Sequence, residues 1–230
     1  PFGHIGEEVL NELYLGGFRH NEQSLRVVDL LEKGGQGLNL TWEVRDGILK
    51  HSKGQVAILG EEWTDVSTLE GQICKIADII AYINHDIGDA IRSGIITESD
   101  LPEPAIMVLG HTHSQRINTL VCDVVNCSWS ASGHSNSAKP TIAMSLETIK
   151  AANSLRQFLF DKVYNPSLAI KDAEKARETI HILYSYFLNH ADKLPQEFAS
   201  LNDNRERKVV DYIAGMTDQY ALRLAEGISK

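Results

Sequence analysis

The chain has 230 residues and a formal net charge of −9 at pH 7, and 43% of its residues are hydrophobic. This length and composition are typical of a globular protein that buries a sizeable core in one large or two small domains. The acidic balance argues against a general nucleic-acid-binding surface, although it does not exclude a phosphorylated substrate. No apolar run is long enough to span a bilayer, so we expect no membrane association.

Three cysteines, Cys74, Cys122 and Cys127, are too few and too scattered for a disulfide framework. They predict a reducing compartment, and we therefore expect a cytoplasmic protein. Because Cys122 and Cys127 lack a second close pair of ligands, a zinc site is not expected.

Apolar residues recur at helical spacing from the start of the chain. The pattern predicts helices near 4–15 and 20–33, separated by Gly16-Gly17, and a third over 38–52. Residues 55–66 are expected to form a loop with at most one short strand. The remaining predicted elements are a long helix capped by Ser67 or Thr68, a turn at 93–104, a helix at 104–126, a polar loop at 128–140, and helices near 145–162, 168–190 and 204–228. Strand signals are scarce, so we expect an all-α bundle.

The long helix carries two stripes. Its apolar stripe consists of Leu69, Ile73, Ile76, Ile80, Ile83, Ile87 and Ile91. Beside it runs a polar stripe of Asp78, Tyr82, His85 or Asp86, and Asp89. Carboxylates beside a core are costly unless they are solvated, paired or bound to a cation. The residues alone leave two interpretations open, namely a solvated polar face and a functional site.

Four segments together resemble one family. They are residues 1–7 (PFGHIGE), 18–26 (FRHNEQSLR), 77–90 (ADIIAYINHDIGDA) and 211–221 (DYIAGMTDQYA). In this order they resemble the HD-domain deoxynucleoside triphosphate triphosphohydrolases, which include bacterial dGTPase. The resemblance implies a helical HD-domain-like bundle. It also implies hydrolysis of a dNTP, such as dGTP, to a deoxynucleoside and inorganic triphosphate.

The resemblance also implies a divalent metal ion. In this family a His, an adjacent His-Asp pair and a distant Asp hold the ion, and the His-Asp pair normally lies just before the PFGH motif. Asp78 matches the distant Asp, and the sequence starts at PFGH. We therefore expect an upstream segment, present in the full protein or associated as a separate piece, unless the metal has been lost. Mn²⁺, Mg²⁺ and Fe²⁺ all suit imidazole and carboxylate ligands.

The family's other site residues map onto two short segments and the long helix. His20 and Glu7 resemble a catalytic pair in which the acid orients an imidazole that transfers a proton. His4 matches a histidine that donates to the α-phosphate. Tyr82 and Asp86 match the sugar contacts, where the carboxylate accepts from the 3′-hydroxyl and the ring excludes a 2′-hydroxyl.

Other features carry less weight. His111-Thr112-His113 is better interpreted as a polar helix start than as a metal-ligand pair, and Arg116 as a surface arginine rather than a phosphate contact. The fourth segment is expected to be mainly structural. His134 lies in a polar loop, which leaves three interpretations open, namely a lid, a loop that contacts a nucleotide, and no role.

We expect one HD-type domain over residues 1–230, with the active-site portion at about 1–95 and a helical portion at about 96–230. The resemblance implies a homo-oligomer and leaves allosteric binding of a dNTP open. Two other functions remain open. One is a different HD-type phosphohydrolase or phosphodiesterase, and the other is a non-catalytic nucleotide-binding module with a vestigial metal site.

Overall fold

The structure is a computed structural model that describes residues 1–51, 66–132, 140–164 and 170–229. These residues form helices and turns without any strand, which confirms the predicted all-α class. They form two compact units, Pro1–Leu40 with Ala169–Lys230 and Thr41–Leu168, and each is described by itself. The predicted organisation into one domain stays a prediction. Most of the predicted 55–66 loop, and His134, lie outside the described residues.

The helices follow the predicted order, with some extra breaks. In chain order they are α1 (Gly3–Leu13), α2 (His20–Arg26), α3 (Glu32–Gly35), α4 (Trp42–Lys50), α5 (Leu69–Arg92), α6 (Glu103–Leu109), α7 (His113–Cys127), α8 (Leu146–Lys162), α9 (Ile170–Asn189), α10 (Gln196–Ala199), α11 (Arg205–Ala214) and α12 (Asp218–Ile228). A π-helical turn, Val27–Leu31, joins α2 to α3. None of the described helices combines the length and apolar character that crossing a bilayer requires.

The first unit is organised around α9, which packs against α1, α11 and α12. Its core contains Leu10 from α1, Ile180 and Leu183 from α9, and Ile213 from α11, all fully buried. The N-terminal and C-terminal parts of the sequence therefore share one core. The first, second and fourth family-like segments all lie in this unit.

The second unit is organised around the long helix α5, which packs against α4, α7 and α8. The Thr68 hydroxyl caps α5 by accepting a hydrogen bond from the Gly71 backbone N–H at 3.1 Å, which confirms the predicted N-cap. The apolar stripe faces the core at Ile83 and Ile87, whereas Ile73 is half-exposed. The third family-like segment lies within α5.

The predicted helix over 104–126 is wrong as a single element, because the chain breaks between α6 and α7. Gly110 has φ 109° and ψ 156°, a conformation that only glycine adopts readily. Thr112 then caps α7, and Gln115 completes a capping box. The predicted helix over 204–228 divides in the same way, with Thr217 capping α12.

Replacing Gly110 by Ala is expected to lower the free energy of unfolding by about 1–3 kcal/mol, because its backbone conformation strains any side chain. The added Cβ would also lie 2.5 Å from the Cβ of Gln115. Urea denaturation measures the change. The matched control is Gly227→Ala in α12, where a Cβ meets no heavy atom within 4 Å. That substitution should stabilise the helix slightly, and equal losses in the two variants would contradict the backbone argument.

Candidate active site

A carboxylate and an imidazole meet in the first unit. Helix α1 carries Glu7, and His20 is the first residue of α2. Glu7 Oε1 accepts the backbone N–H of His20 at 3.0 Å, and Glu7 Oε2 lies 2.8 Å from His20 Nδ1. One carboxylate therefore caps the start of α2 and holds the His20 ring, and an anion is favourable at a helix N-terminus.

This geometry determines the tautomer of His20. An ionised carboxylate only accepts hydrogen bonds, so Nδ1 must carry the hydrogen that it shares with Glu7. In the neutral ring, the basic nitrogen is then Nε2. The His20 side chain is 44% exposed and the Glu7 side chain 23% exposed, so the ring remains accessible to solvent. The arrangement suits an imidazole that accepts or donates a proton through Nε2.

A buried ionic cluster anchors the helix that carries His20. The Asp211 side chain of α11 is fully buried and accepts hydrogen bonds from Gln23 and Arg26 of α2, at 2.9 Å and 2.7 Å. Arg207 also donates to Asp211, at 2.7 Å. Burial opposes ionisation of Asp211, but the hydrogen bonds from Arg26, Arg207 and Gln23 outweigh it, so the pKa of Asp211 is lowered. The fourth segment thus holds the second in place, which gives the predicted structural role a specific contact.

His4 is exposed on the first turn of α1. The start of this helix is attached to the fourth segment, because Asp218 Oδ1 accepts the backbone N–H of Phe2 at 2.8 Å. His4, Glu7 and His20 therefore lie on elements that Asp211 and Asp218 hold within one unit. Their catalytic roles stay predictions.

The predicted metal and sugar residues lie on α5, in the second unit. Asp78 is exposed, and no hydrogen bond or ion pair to it occurs in the part of the chain that the structure describes. Tyr82 and Asp86 are partly buried, one and two turns further along. The polar stripe is therefore solvated at Asp78 and packed against protein at Tyr82 and Asp86. The assigned roles of these three residues stay predictions.

Two residues of the α8 region contact Tyr82 and Asp86, and sequence reasoning did not single them out. The Arg156 guanidinium donates a hydrogen bond to the Tyr82 hydroxyl, and the Tyr164 hydroxyl donates to Asp86 Oδ2. Partial burial raises the pKa of Tyr164, and the hydrogen bond to Asp86 raises it further. Burial likewise raises the pKa of Tyr82. Both phenols therefore remain protonated at neutral pH.

The described residues do not by themselves fit a complete metal site. Within the described ranges, no group of three or more His, Cys, Asp and Glu side chains is placed to hold an ion. Among the described residues, Asp78 is the single match to the family's ligand set.

Two further interpretations are resolved around α7. His113 is the first residue of this helix and Thr112 its N-cap, which confirms the predicted polar helix start. The prediction that Arg116 lies at the surface is wrong, because its side chain is buried. Its Nε donates to Asn84 at 3.1 Å and its Nη1 to the His111 carbonyl at 2.8 Å. Arg116 therefore ties α7 to α5.

Comparison with known proteins supports the family. The profile of a phosphohydrolase-associated domain matches residues 142–227. A deoxyguanosinetriphosphate triphosphohydrolase-like protein from Caldanaerobacter subterraneus subsp. tengcongensis is 53% identical, over 96% of this chain and 61% of the relative. A protein of the same name from Bordetella pertussis is 34% identical, over 97% of this chain and 69% of the relative. The chain belongs to the deoxyguanosinetriphosphate triphosphohydrolase-like family.

The chain matches only part of the length of its relatives, so the activity of a whole relative does not carry over to it directly. A family member from Clostridium tetani is 42% identical over 99% of this chain and 64% of its own length. The chain thus spans less than two thirds of the two curated relatives from Caldanaerobacter and Clostridium tetani. Family membership supports a phosphohydrolase fold, whereas the activity and substrate of the whole protein remain to be proposed.

Proposed function

We propose that the intact protein hydrolyses a deoxynucleoside triphosphate, dGTP or another dNTP, to a deoxynucleoside and inorganic triphosphate. The observation that carries the proposal is the Glu7–His20 pair, in which one carboxylate holds both the backbone and the ring of the histidine. The names of the relatives point to the same substrate class.

In this proposal His20 is the proton-transfer group. Water attacks the α-phosphorus, the bond to the nucleoside 5′-oxygen breaks, and that oxygen gains a proton. His20 moves a proton through Nε2, while the carboxylate of Glu7 stabilises the cationic ring that forms when Nε2 is protonated. His4 donates to the α-phosphate, where hydrogen-bond donors stabilise the charge that builds up.

Tyr82 and Asp86 bind the sugar in this proposal. Asp86 accepts from the 3′-hydroxyl, and the Tyr82 ring disfavours a ribose 2′-hydroxyl by excluding it. The partial burial of both side chains supports these roles, because a partly desolvated carboxylate gains more from a hydroxyl donor than a fully solvated one.

The proposal includes a divalent ion, Mn²⁺, Mg²⁺ or Fe²⁺, with Asp78 as one ligand, since the family resemblance implies metal dependence. It also includes a homo-oligomer in the cytoplasm, with an allosteric dNTP site left open. The ion, the oligomer and the allosteric site rest on the resemblance, and the cytoplasmic location rests on the reducing compartment that the three cysteines predict.

The product of the reaction tests the proposal directly. With dGTP and Mn²⁺ or Mg²⁺, the intact protein should release deoxyguanosine and inorganic triphosphate in equal amounts, measured by ion chromatography. Release of orthophosphate or pyrophosphate would indicate another HD-type phosphohydrolase. Binding of dGTP without turnover at any metal concentration would indicate a non-catalytic nucleotide-binding module.

A further inference from the structure

Two sets of residues recur at steps of four, one on α5 and one at the C-terminal end of α8. Tyr82 and Asp86 of α5 form the first set. The second consists of Arg156 and Phe160 of α8 and of Tyr164, two residues beyond its end. Helices α5 and α8 pack against each other in the second unit. The two sets meet pairwise, Arg156 with Tyr82 and Tyr164 with Asp86.

The α8 set is held together by contacts of its own. The Arg156 guanidinium lies 5.5 Å from the centre of the Phe160 ring. The Phe160 and Tyr164 rings meet edge to face, with their centres 5.3 Å apart. The backbone N–H of Tyr164 donates to the Leu159 carbonyl at 2.9 Å, just beyond the end of the helix. Tyr164 is therefore positioned by both its backbone and its ring.

We propose that Tyr164 is a positioning residue that fixes the Asp86 carboxylate for recognition of a sugar 3′-hydroxyl. This inference rests on the proposed function, because it assigns the residue that orients one of its sugar contacts. Neither Tyr164 nor Arg156 lies in the four family-like segments.

The Asp86 carboxylate can accept hydrogen bonds from the Tyr164 hydroxyl and from a sugar 3′-hydroxyl at the same time. A carboxylate has two oxygens and about four lone-pair positions. Tyr164 donates to Oδ2, and among the described residues no hydrogen bond reaches Oδ1 of Asp86. Holding Oδ2 removes the rotation of the carboxylate that binding would otherwise have to stop, so Oδ1 is oriented for the sugar before the ligand arrives.

The test is Tyr164→Phe in the intact protein, assayed with dGTP and with 2′,3′-dideoxyguanosine triphosphate. The expected result is a KM for dGTP raised about tenfold with kcat within about twofold, because the lost contact acts on binding rather than on the reacting atoms. The KM for the dideoxy substrate should stay within about twofold, since that substrate has no 3′-hydroxyl. Selectivity for the 3′-hydroxyl therefore falls about tenfold.

Tyr220→Phe is the matched control. It removes a hydroxyl that pairs with the Tyr212 hydroxyl at 2.8 Å in the first unit, and it should leave the selectivity unchanged. A Tyr164→Phe variant that keeps wild-type selectivity, or that weakens both substrates equally, overturns the inference.

The failure of this inference is distinguishable from failure of the proposed function. If the wild type releases triphosphate and Tyr164→Phe keeps its selectivity, only the inference fails. Dissociation constants for the two ligands are measured in parallel by calorimetry. A second outcome separates them in the other direction. The wild type binds the ligand with a 3′-hydroxyl more tightly, Tyr164→Phe loses that preference, and no triphosphate is released. In that case the inference stands and the proposed reaction fails. A wild type that binds the two ligands equally overturns the inference.

Discussion

Replacing Glu7 by Gln is expected to lower kcat about 10²- to 10⁴-fold while the fold stays intact. The reason is the tautomer of His20. The amide oxygen of Gln must accept the His20 backbone N–H, so its NH₂ group is left facing Nδ1. Nδ1 then has to accept, and the ring hydrogen moves to Nε2, which makes Nε2 unable to take a proton. Steady-state triphosphate release measures kcat, and ¹⁵N NMR of the imidazole reports the tautomer.

Two further sets of variants test whether the loss of kcat comes from the Glu7–His20 pair. Glu8→Gln changes the neighbouring residue, whose carboxylate pairs at the surface with Arg177 at 2.7 Å, and it should leave kcat unchanged. His20→Ala should cost about as much as Glu7→Gln, and the double variant little more, because the two residues act as a unit. A Glu7→Gln enzyme with wild-type kcat would rule out the role assigned to this pair.

The elements with a clear hydrophobic period could be predicted from the sequence, and their interruptions could not. The stripe of isoleucines in α5, with Thr68 ahead of it, is a local signal that locates a helix and its start. The break at Gly110 depends on its backbone conformation, which the spacing of apolar residues does not reveal. The Thr112–Gln115 capping box was a readable signal for the start of α7, since it has the S/T-x-x-E/Q form.

The candidate site likewise contains one contact that the sequence suggested and others that it did not. Glu7 and His20 were paired by resemblance to a family, and the structure adds the contact between them. The contacts of Tyr82 and Asp86 with Arg156 and Tyr164 join residues more than 70 positions apart. Only packing of α5 on α8 creates these contacts, and the one local hint is the four-residue spacing on α8.

The ionic cluster around Asp211 shows the same limit in the first unit. Among the apolar and aromatic residues of the fourth segment that recur at helical core spacing, Ile213 and Met216 are buried, whereas Tyr220 is exposed. A charged residue inside a core helix has no apolar period to reveal it, and its partners Gln23 and Arg26 come from the opposite end of the sequence. The role of Asp211 in holding α2 is therefore visible only in the tertiary structure.

Replacing Asp211 by Ala is expected to lower the free energy of unfolding by about 3–5 kcal/mol, the usual cost of removing one partner from a buried ion pair. The substitution leaves Arg26 and Arg207 without their shared carboxylate, and their side chains are only 16% and 14% exposed. Urea denaturation at pH 7 measures the loss. Asp203→Ala is the matched control, because it removes the outer, 33% exposed partner of Arg26 and should cost less than about 1 kcal/mol.

The pH dependence separates this ionic effect from simple loss of packing. The folded-state pKa of Asp211 is lowered, so its contribution to stability is fully present above the unfolded-state pKa of about 4 and is lost as the pH falls through the lower folded-state value. The wild type should therefore lose stability over that acidic range, and Asp211→Asn should lose correspondingly less there. Parallel pH profiles for the two proteins would mean that Asp211 is not held ionised by its arginines, and the anchoring of the His20 helix would need another explanation.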